Sequence, residues 1–558
     1  MASEYPALTK FFLDAIDRFA NPRAQMYRTS AGWQSISAQE MLRRVAGLSK
    51  ALAELGIVSG DRVGLFAPNC PEWHTADFAI QGLGAVTVPI YFNESHDRLV
   101  YILNDSGARV VFTAGAAQGK KISECRSRIP ALEHVISAAP DSELNGDILR
   151  YETLIASTTD ADVAEYRRRA AEITGNNLAT IIYTSGTTGE PKGVMLSHSN
   201  LSSNAIDSAS NHQLLPSDVA LEFLPLAHVY ERTAAYSYIC NGVAIAYLER
   251  IEDVPQALLE VHPTVTCAVP RFFEKIYANI LEKGRRESGI KRNIFDWSLR
   301  VAEESVPWRA YGKSASPGLK LRWRVADALV YSKIREGLGG GTQRFSAGGA
   351  PLAPELAEFF WSVGVTIHQG YGLTETSPVV TANTPAANKI GTVGRPIPNV
   401  QVKIAEDGEI LVKGPNVMQG YYHKPEATRE VFTSDGWFRT GDIGVLDTDG
   451  YLGLTGRIKE IINRGGEKIS PQEIEAVLLG HPAVAEAAAF GVPDTKYGEE
   501  VCAAVVLKGA ADMEGLKLFC QARLADFKVP KMIWITSALP KNATGKIERR
   551  ALPALFQK

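Results

Sequence analysis

The stretch of this sequence with the clearest chemical potential is YTSGTTGEPKGV, residues 183–194. Successive backbone N–H groups in a loop so rich in glycine can form a concave anion-binding site. Its hydroxyl groups add hydrogen-bond donors and its lysine adds a mobile positive charge, so the segment predicts a polyphosphate site. The residues concerned are Thr184, Ser185, Gly186, Thr187, Thr188, Gly189 and Lys192.

This loop differs from the Walker A loop of P-loop nucleotide-binding proteins. A Walker A loop has glycine directly before its lysine and a helix after it, whereas this sequence has Pro191 before Lys192. The apolar segments LATIIYT and GVMLS predict strands on both sides of the loop. A flexible surface hairpin without function is the alternative interpretation, and the composition of the whole string disfavours it.

The elements that must position this loop follow an alternating pattern. RVGLFAP, AVTVPIYF and ARVVFTA predict buried strands, and helix-like stretches such as EWHTADFAIQGLG separate them. This alternation predicts an α/β fold with a largely parallel sheet. After Gly420 the chain becomes strand- and turn-rich, which predicts a boundary at 457–459 between a large domain, 1–456, and a small α+β domain, 460–558.

Composition limits the class of protein. The chain has 558 residues, a net charge of −3 and 45% apolar residues, which is typical of a multidomain globular protein and not of a nucleic-acid binder. No apolar run is long enough for a membrane span, and the acidic residues near the start favour an amphipathic first helix over a secretion signal. Six scattered cysteines without a C-x-x-C pair fit a reduced cytoplasmic compartment.

One region departs from this near-neutral balance. Glu282–Arg335 has 13 Lys and Arg against 6 Asp and Glu and shows helical spacing of its apolar residues. The simpler interpretation is a solvated helical surface. The alternative is a surface that meets anionic lipid or a phosphate-bearing ligand, which would make the protein a peripheral membrane protein.

Several ordered motifs together identify a family: YTSGTTGEPKG, FLPLAHVYER, SAGGAPL, QGYGLTET, WFRTGD, GRIKEIINRGGEKISPQEIE and PKNATGKIERR. With them the sequence resembles acyl-CoA synthetases of the adenylate-forming superfamily, and VPRFFEKIY resembles the long-chain fatty acid branch. The resemblance implies a large N-terminal domain of parallel-type sheets with packed helices and a β-rich subdomain, followed by a small mobile α+β domain. It also implies the substrates ATP, CoA and a fatty acid, which react through an acyl-adenylate and a domain rotation.

The resemblance assigns the nucleotide contacts. Glu375 is the expected Mg²⁺ ligand, Thr184 helps to hold the ion, Thr374 donates to the α-phosphate and Tyr371 stacks on adenine. One carboxylate beside a phosphate loop suffices for Mg²⁺, which takes its other ligands from phosphate and water. Paired glycines let a flat base approach the backbone. The other expected nucleotide-binding residues are Gly348, Gly349, Ala350, Pro351, Gln369, Gly370 and Gly372.

Two further motifs supply polar side chains. WFRTGDIG places Asp442 at a predicted strand end, where a carboxylate can accept both ribose hydroxyls, and Arg457 is expected on the ribose or phosphate. A turn-capping role is the alternative for Asp442. In FLPLAHVYER, His228 is expected where the acyl and nucleotide sites meet, to orient the carboxylate; a structural role is its alternative.

The C-terminal motifs concern the change between half-reactions. Lys546 can reach both the substrate carboxylate and the α-phosphate, which makes it the expected catalytic cation together with Lys192. Lys459 is the expected hinge residue, and Gly465 and Gly466 are expected to line the CoA path. Oligomeric state cannot be deduced from these motifs.

The acyl pocket is expected among residues 223–232, 269–277 and 348–370, with Tyr230 and Phe272 as liners or gates. Ordinary core packing is the alternative for each aromatic residue. Two other functions stay open. One is an acyl-AMP ligase or another carboxylate-adenylating enzyme, which passes its acyl group to a carrier protein or joins a different acid to CoA. The other is a lipid-binding relative without catalysis.

Overall fold

The computed structural model describes residues 5–140, 147–184, 190–340, 344–541 and 547–556. The strands, in chain order, are β1 Gln25–Thr29, β2 Gly32–Ile36, β3 Arg62–Phe66, β4 Val86–Ile90, β5 Val110–Thr113, β6 His134–Ser137, β7 Ile148–Arg150, β8 Leu178–Thr184, β9 Lys192–Ser197, β10 Val219–Glu222, β11 Ala244–Tyr247, β12 Val265–Ala268, β13 Arg344–Ala347, β14 Thr366–Gly372, β15 Val379–Ala382, β16 Arg395–Pro396, β17 Gln401–Ile404, β18 Glu409–Lys413, β19 Gly420–Tyr421, β20 Phe438–Leu446, β21 Leu452–Arg457, β22 Ile462–Arg464, β23 Glu467–Ile469, β24 Val484–Asp494, β25 Gly498–Leu507 and β26 Met532–Thr536.

The α-helices, in chain order, are α1 Leu8–Phe19, α2 Ala38–Glu54, α3 Pro71–Gln81, α4 His96–Ser106, α5 Ala116–Cys125, α6 Tyr151–Ile155, α7 Asp160–Glu172, α8 His198–His212, α9 Val229–Cys240, α10 Val254–Val261, α11 Pro270–Arg286, α12 Gly289–Arg309, α13 Pro317–Ala326, α14 Ser332–Glu336, α15 Pro354–Ser362, α16 Pro425–Glu430, α17 Pro471–Leu479, α18 Met513–Gln521 and α19 Leu552–Phe556. A π-helical turn, Asp327–Tyr331, joins α13 to α14.

The chain folds into two compact units. The first unit contains Met1–Gln401 and Val412–Phe438, and the second contains Val402–Leu411 and Arg439–Lys558. The predicted hinge, residues 457–459, lies within Arg439–Lys558 of the second unit. Its role as a hinge stays a prediction.

The first unit contains two large sheets. One has the strand order β16-β15-β14-β13-β12-β10-β11-β1-β2 and the other has β19-β9-β8-β4-β3-β5-β6-β7. The inner pairs of both sheets are parallel, whereas β15, β16, β2, β9 and β19 join as antiparallel edge strands. Helices connect the parallel strands and bury their apolar faces on the sheets, since parallel strands need crossover connections. The predicted α/β class is therefore confirmed.

The second unit is smaller and rich in antiparallel strands. It carries the sheet β17-β18-β20-β21 and the sheet β23-β22-β25-β24, with β26 parallel to β25. Buried residues of α17, α18 and the long β24–β25 pair form its core. This α+β character agrees with the sequence prediction.

Several local predictions are confirmed at the residue level. LATIIYT forms β8 and the predicted strand after the loop forms β9. The amphipathic first helix is α1, which buries Leu8, Phe12 and Ile16. In the described part of the chain, none of the helices has the length and apolar character to cross a membrane.

Candidate active site

The predicted phosphate loop is carried by an antiparallel hairpin. Thr184 ends β8 opposite Lys192, which begins β9, and the Thr184 hydroxyl is 3.5 Å from the Lys192 carbonyl oxygen. The predicted contacts Ser185, Gly186, Thr187, Thr188 and Gly189 lie outside the described residues. Both ends of the loop are held in one strand pair. The side chain of Lys192 therefore begins at the base of the loop.

The short strand β19 brings a tyrosine to this hairpin. Tyr421 pairs with Val194 across the β19–β9 ladder, and its ring centroid is 5.0 Å from the Lys192 Nζ atom. Its hydroxyl donates a 2.8 Å hydrogen bond to Oε1 of Glu375. Burial, and to a smaller extent the Glu375 carboxylate, raises the pKa of Tyr421, so the phenol stays protonated and donates.

The backbone also holds Glu375 against the hairpin. Its carbonyl oxygen accepts a 2.9 Å hydrogen bond from the Met418 N–H, just before β19. The side chain lies in the single turn Thr374–Thr376 that follows β14, and it is half-buried. The structure thus joins two predicted site residues, Lys192 and Glu375, through Tyr421. Sequence reasoning missed this tyrosine because no spacing rule relates it to either partner.

The predicted adenine wall follows two neighbouring parallel strands. Ala347 at the end of β13 is in register with Gln369 of β14. Gly349, Ala350 and Pro351 are exposed directly after β13, as a binding wall requires. Of the remaining predicted contacts, Gly370, Tyr371 and Gly372 lie at the end of β14 and Thr374 lies in the turn that follows it.

Three members of this wall are restricted by packing. A Cβ atom at Gly372 would lie 1.8 Å from the Pro378 carbonyl oxygen, so only glycine fits there. Tyr371 is 9% exposed, which leaves a small part of its ring for contact with a base. Gly348 faces the Tyr230 ring, whose Cζ atom would be 3.0 Å from an added Cβ.

His228 caps the N-terminus of α9. Its Nδ1 atom accepts a 3.2 Å hydrogen bond from the Tyr230 N–H. A backbone N–H can only donate, so the proton of the neutral ring sits on Nε2. His228 therefore has a structural role as a helix cap, in agreement with the alternative prediction. The same hydrogen bond also sets the direction in which Nε2 points.

A buried ion pair ties α9 to the strand that leads into the phosphate loop. Arg232 is fully buried, and its guanidinium donates to Asp77 at 2.5 Å and to the Thr180 hydroxyl of β8 at 2.7 Å. Tyr236 also donates to Asp77, at 2.5 Å. This network holds the His228 helix and β8 together. The sequence signal for this network is an arginine within an otherwise largely apolar helix.

Aromatic rings gather where the acyl pocket is expected. The Phe272 ring on α11 lies 5.2 Å from Phe223 and 5.9 Å from Phe345, measured between centroids. The Tyr230 hydroxyl donates a 2.9 Å hydrogen bond to the Ser346 carbonyl oxygen. Two of the three predicted segments, 223–232 and 269–277, therefore meet at this cluster, and the third approaches it at Gly348, which faces the Tyr230 ring.

The remaining predicted residues belong to the second unit. Asp442 is 5% exposed and pairs with Arg457 at 2.8 Å across β20 and β21. The prediction that Asp442 lies at a strand end is wrong, because β20 continues four residues beyond it to Leu446. The strand continues because its antiparallel pairing with β21 extends past Asp442.

The hinge and CoA-side residues are also placed within the second unit. Lys459 lies in the 3₁₀ turn Ile458–Glu460, directly after β21. Gly465 and Gly466 form the β22–β23 turn with φ values of +63° and +94°, a left-handed region that favours glycine. Lys546 lies outside the described residues, and Arg549 beyond it is anchored to Glu475 at 2.7 Å.

Comparison with known proteins decides the family. The family model described as AMP-binding enzyme matches residues 13–422, and the model of the AMP-binding enzyme C-terminal domain matches residues 473–546. The chain belongs to the AMP-binding enzyme family. The predicted resemblance is thereby confirmed, and this AMP-binding enzyme is an ATP-dependent acid–CoA ligase.

Similar members of the family differ in their acids. A long-chain-fatty-acid–CoA ligase of Mycobacterium bovis is 39% identical over 82% of this chain and 76% of its own length. An oxalate–CoA ligase of Arabidopsis thaliana is 32% identical over 93% of this chain and 92% of its own. The crystal structure of ATP-bound MatB from Rhodopseudomonas palustris is 26% identical and covers 99% of both chains, with a TM-score of 0.77.

Proposed function

We propose that this AMP-binding enzyme is an AMP-forming long-chain fatty acid–CoA ligase. It converts ATP, a fatty acid and CoA into acyl-CoA, AMP and pyrophosphate through an acyl-adenylate. The observation that carries the proposal is the Lys192–Tyr421–Glu375 cluster at the base of the phosphate loop, because it sets a cation and a carboxylate at one end of the hairpin. The aromatic cluster around Phe272 and the mycobacterial relative support a long apolar acid.

The residues at this site fit Mg²⁺. The ion favours hard oxygen ligands and takes one or two carboxylates plus phosphate oxygens and water. Glu375 offers one carboxylate, of which Tyr421 engages one oxygen, and Thr184 adds a hydroxyl at the end of β8. When bound, the ion would neutralise charge on the ATP phosphates. Tyr421 holds the carboxylate and Lys192 contributes charge to the same phosphates.

The first half-reaction brings two anions together. The fatty carboxylate attacks the α-phosphate and the phosphate–pyrophosphate bond breaks. We assign Lys546 as the cation that neutralises both anions, with Thr374 as a donor to the α-phosphate and the His228 Nε2–H as a donor to the carboxylate. No proton has to be removed, because a carboxylic acid is already ionised near neutral pH.

The second half-reaction needs a different arrangement of the C-terminal residues. The CoA thiol loses its proton to solvent, its sulfur attacks the acyl carbonyl carbon, and the bond from that carbon to AMP breaks. The cation that served adenylation must therefore make room. We propose that residues 460–558 rotate about Lys459, with Gly465 and Gly466 lining the CoA path. A turn of two glycines without side chains leaves space for a thiol arm. Asp442 and Arg457 are the proposed ribose contacts.

A chain-length assay tests the proposal. We expect thioester formation with palmitate and CoA to exceed that with oxalate, with AMP release dependent on palmitate. Glu375→Gln is expected to abolish both, while the exposed Glu249→Gln serves as matched control. AMP release without any thioester at saturating CoA would instead identify an acyl-AMP ligase. Preference for oxalate or another small acid would refute the long-chain assignment.

For its location we propose the cytoplasm, with reversible association at the inner face of a membrane. All six cysteines are free thiols, five of them buried, as expected of a reduced compartment. Binding of the purified enzyme to vesicles tests the second part. Complete absence of such binding at low ionic strength would leave a purely soluble ligase.

A further inference from the structure

Helix α13 carries apolar side chains on two different faces. Its inner face packs on the core through Leu319 and Trp323, and the Trp323 Nε1–H donates a 2.7 Å hydrogen bond to the Ser362 carbonyl oxygen. Ala326 is completely buried on the same side. This inner face satisfies the usual requirement that a surface helix bury one apolar stripe.

The outer face has an apolar row of its own. Leu321, Val325 and Leu329 are 63%, 44% and 42% exposed, the last in the π-helical turn after α13. Residues four positions apart lie above one another on a helix, so these side chains form a single row. We call it the outer row. A second exposed apolar row is unusual on a surface helix and indicates a contact with another phase or molecule.

Basic residues flank the outer row. Lys320 and Arg324 are exposed and each directly precedes a member of the row, which places them side by side along its edge. Within the described part of the chain, neither forms an ion pair with a carboxylate, although Lys320 lies 5.8 Å from the centre of the Trp308 ring. Their charge is therefore available to an outside partner.

The nearby acidic groups are already engaged. Asp327 accepts from Arg335 at 2.6 Å, and Glu304 of α12 accepts from Arg322 at 2.6 Å. The surface around the outer row thus presents uncompensated positive charge. Lys320 and Arg324 are two of the 13 basic residues of Glu282–Arg335.

We propose that the outer row with Lys320 and Arg324 is a docking surface for an anionic lipid bilayer. A helix that lies in a bilayer interface places apolar side chains among acyl chains and basic side chains at lipid phosphates. The outer row and its flanking cations match both requirements. The inference deepens the proposed function, on which it rests, because a long-chain fatty acid partitions into the same bilayer from which a docked enzyme would take it.

Vesicle sedimentation of the full-length protein tests the proposal. The probes are vesicles of phosphatidylcholine alone and of phosphatidylcholine mixed with phosphatidylglycerol, each at low and high salt. We expect binding to the anionic vesicles only, and loss of that binding at high salt, because screening weakens exposed charge interactions. Equal binding to both vesicle types, or no binding to either, would overturn the proposal.

Matched variants locate the surface. Removing both cations in Lys320→Gln/Arg324→Gln is expected to weaken binding about 25-fold, at about fivefold per cation. Leu321→Gln/Leu329→Gln is also expected to weaken it. The controls are Leu215→Gln, a leucine of similar exposure at 55%, and the exposed pair Lys10→Gln/Lys120→Gln. Unchanged binding of the test variants, or equal loss in the controls, would refute this location.

Two readouts separate this inference from the proposed function. Pyrophosphate exchange with a short, water-soluble fatty acid should be the same in the variants and the parent, since the outer row is outside the proposed site. Vesicle binding without ligase activity would refute the proposed function alone. Dimerisation in solution that Leu321→Gln/Leu329→Gln abolishes, without vesicle binding by the parent, would identify a second copy as the occupant and refute the lipid assignment.

Discussion

The hydroxyl of Tyr421 lies 2.8 Å from Oε1 of Glu375, while the ring of the same tyrosine lies under the Lys192 ammonium. One side chain therefore orients both the proposed metal-binding carboxylate and the proposed phosphate-binding cation. We assign Tyr421 a positioning role, since its contacts are to these residues. The arrangement depends on β19 running along β9.

Tyr421→Phe tests this role directly. The variant keeps the ring under Lys192 but removes the hydrogen bond to the carboxylate, and a bond to a charged group contributes about 1.5–3 kcal/mol. We expect the Mg²⁺ concentration needed for half-maximal adenylation to rise about tenfold or more. Titration of Mg²⁺ in a pyrophosphate exchange assay measures it.

The neighbouring Tyr422→Phe is the control, because its ring stacks on His423 at 3.9 Å. It should keep the Mg²⁺ dependence of the parent. A Tyr421→Phe enzyme with unaltered Mg²⁺ dependence would show that the hydrogen bond does not position Glu375.

Lys546→Ala should separate the half-reactions. Removal of a group that stabilises transition-state charge typically costs about 10²- to 10³-fold in rate, so pyrophosphate exchange should fall by that amount. Thioester formation from supplied acyl-AMP and CoA should be largely retained. Lys541→Ala removes a lysine that pairs with Glu486 at 2.8 Å and serves as control. Equal losses in both half-reactions would contradict the assigned role.

The buried Arg232–Asp77 pair should be essential for stability. Arg232→Met leaves a buried carboxylate without its cation, and breaking such a pair typically costs about 3–5 kcal/mol of unfolding free energy. Arg322→Met breaks the surface pair with Glu304 and should cost less than about 1 kcal/mol. Urea denaturation followed by far-UV circular dichroism measures both. Similar midpoints for the two variants would argue against a structural network at Arg232.

Two buried carboxyl groups should make stability depend on pH. Burial raises the pKa of both Glu222 and Glu231, which are completely buried. A raised carboxyl pKa means that the folded state holds a proton that the unfolded state releases. Stability is therefore greatest below the unfolded pKa, about 4.3, and falls as pH rises toward the folded pKa, by up to about 1.4 kcal/mol per pH unit for each group.

Glu231→Gln removes one of these titrations. Its melting temperature should fall less steeply between pH 5 and pH 8 than that of the parent, whereas the exposed Glu249→Gln should follow the parent. Differential scanning fluorimetry across this range measures the slopes. Parallel slopes for Glu231→Gln and the parent would show that the carboxyl group is ionised in the folded protein throughout.

Much of the fold could be predicted from the sequence because its determinants are local. Alternating apolar segments predicted β8, β9 and the helices between parallel strands, and the ordered motifs identified the family. The prediction that Asp442 ends its strand was wrong, since a Thr-Gly-Asp turn signal does not reveal that the β20–β21 ladder continues past this residue. The motifs also predicted Lys192 and Glu375 as site residues, but they did not predict that Tyr421 contacts both side chains.

The relationships between side chains were decided only by the tertiary structure. Tyr421 is 46 residues from Glu375, and Arg232 is 155 residues from Asp77, so each contact depends on which strands and helices become neighbours. The exposed outer row of α13 also depends on tertiary structure. Periodicity indicates that the helix has apolar residues, but packing alone decides which of its apolar faces is covered. Sequence periodicity indicates which residues of an element tend to be buried, whereas long-range packing decides which elements contact one another.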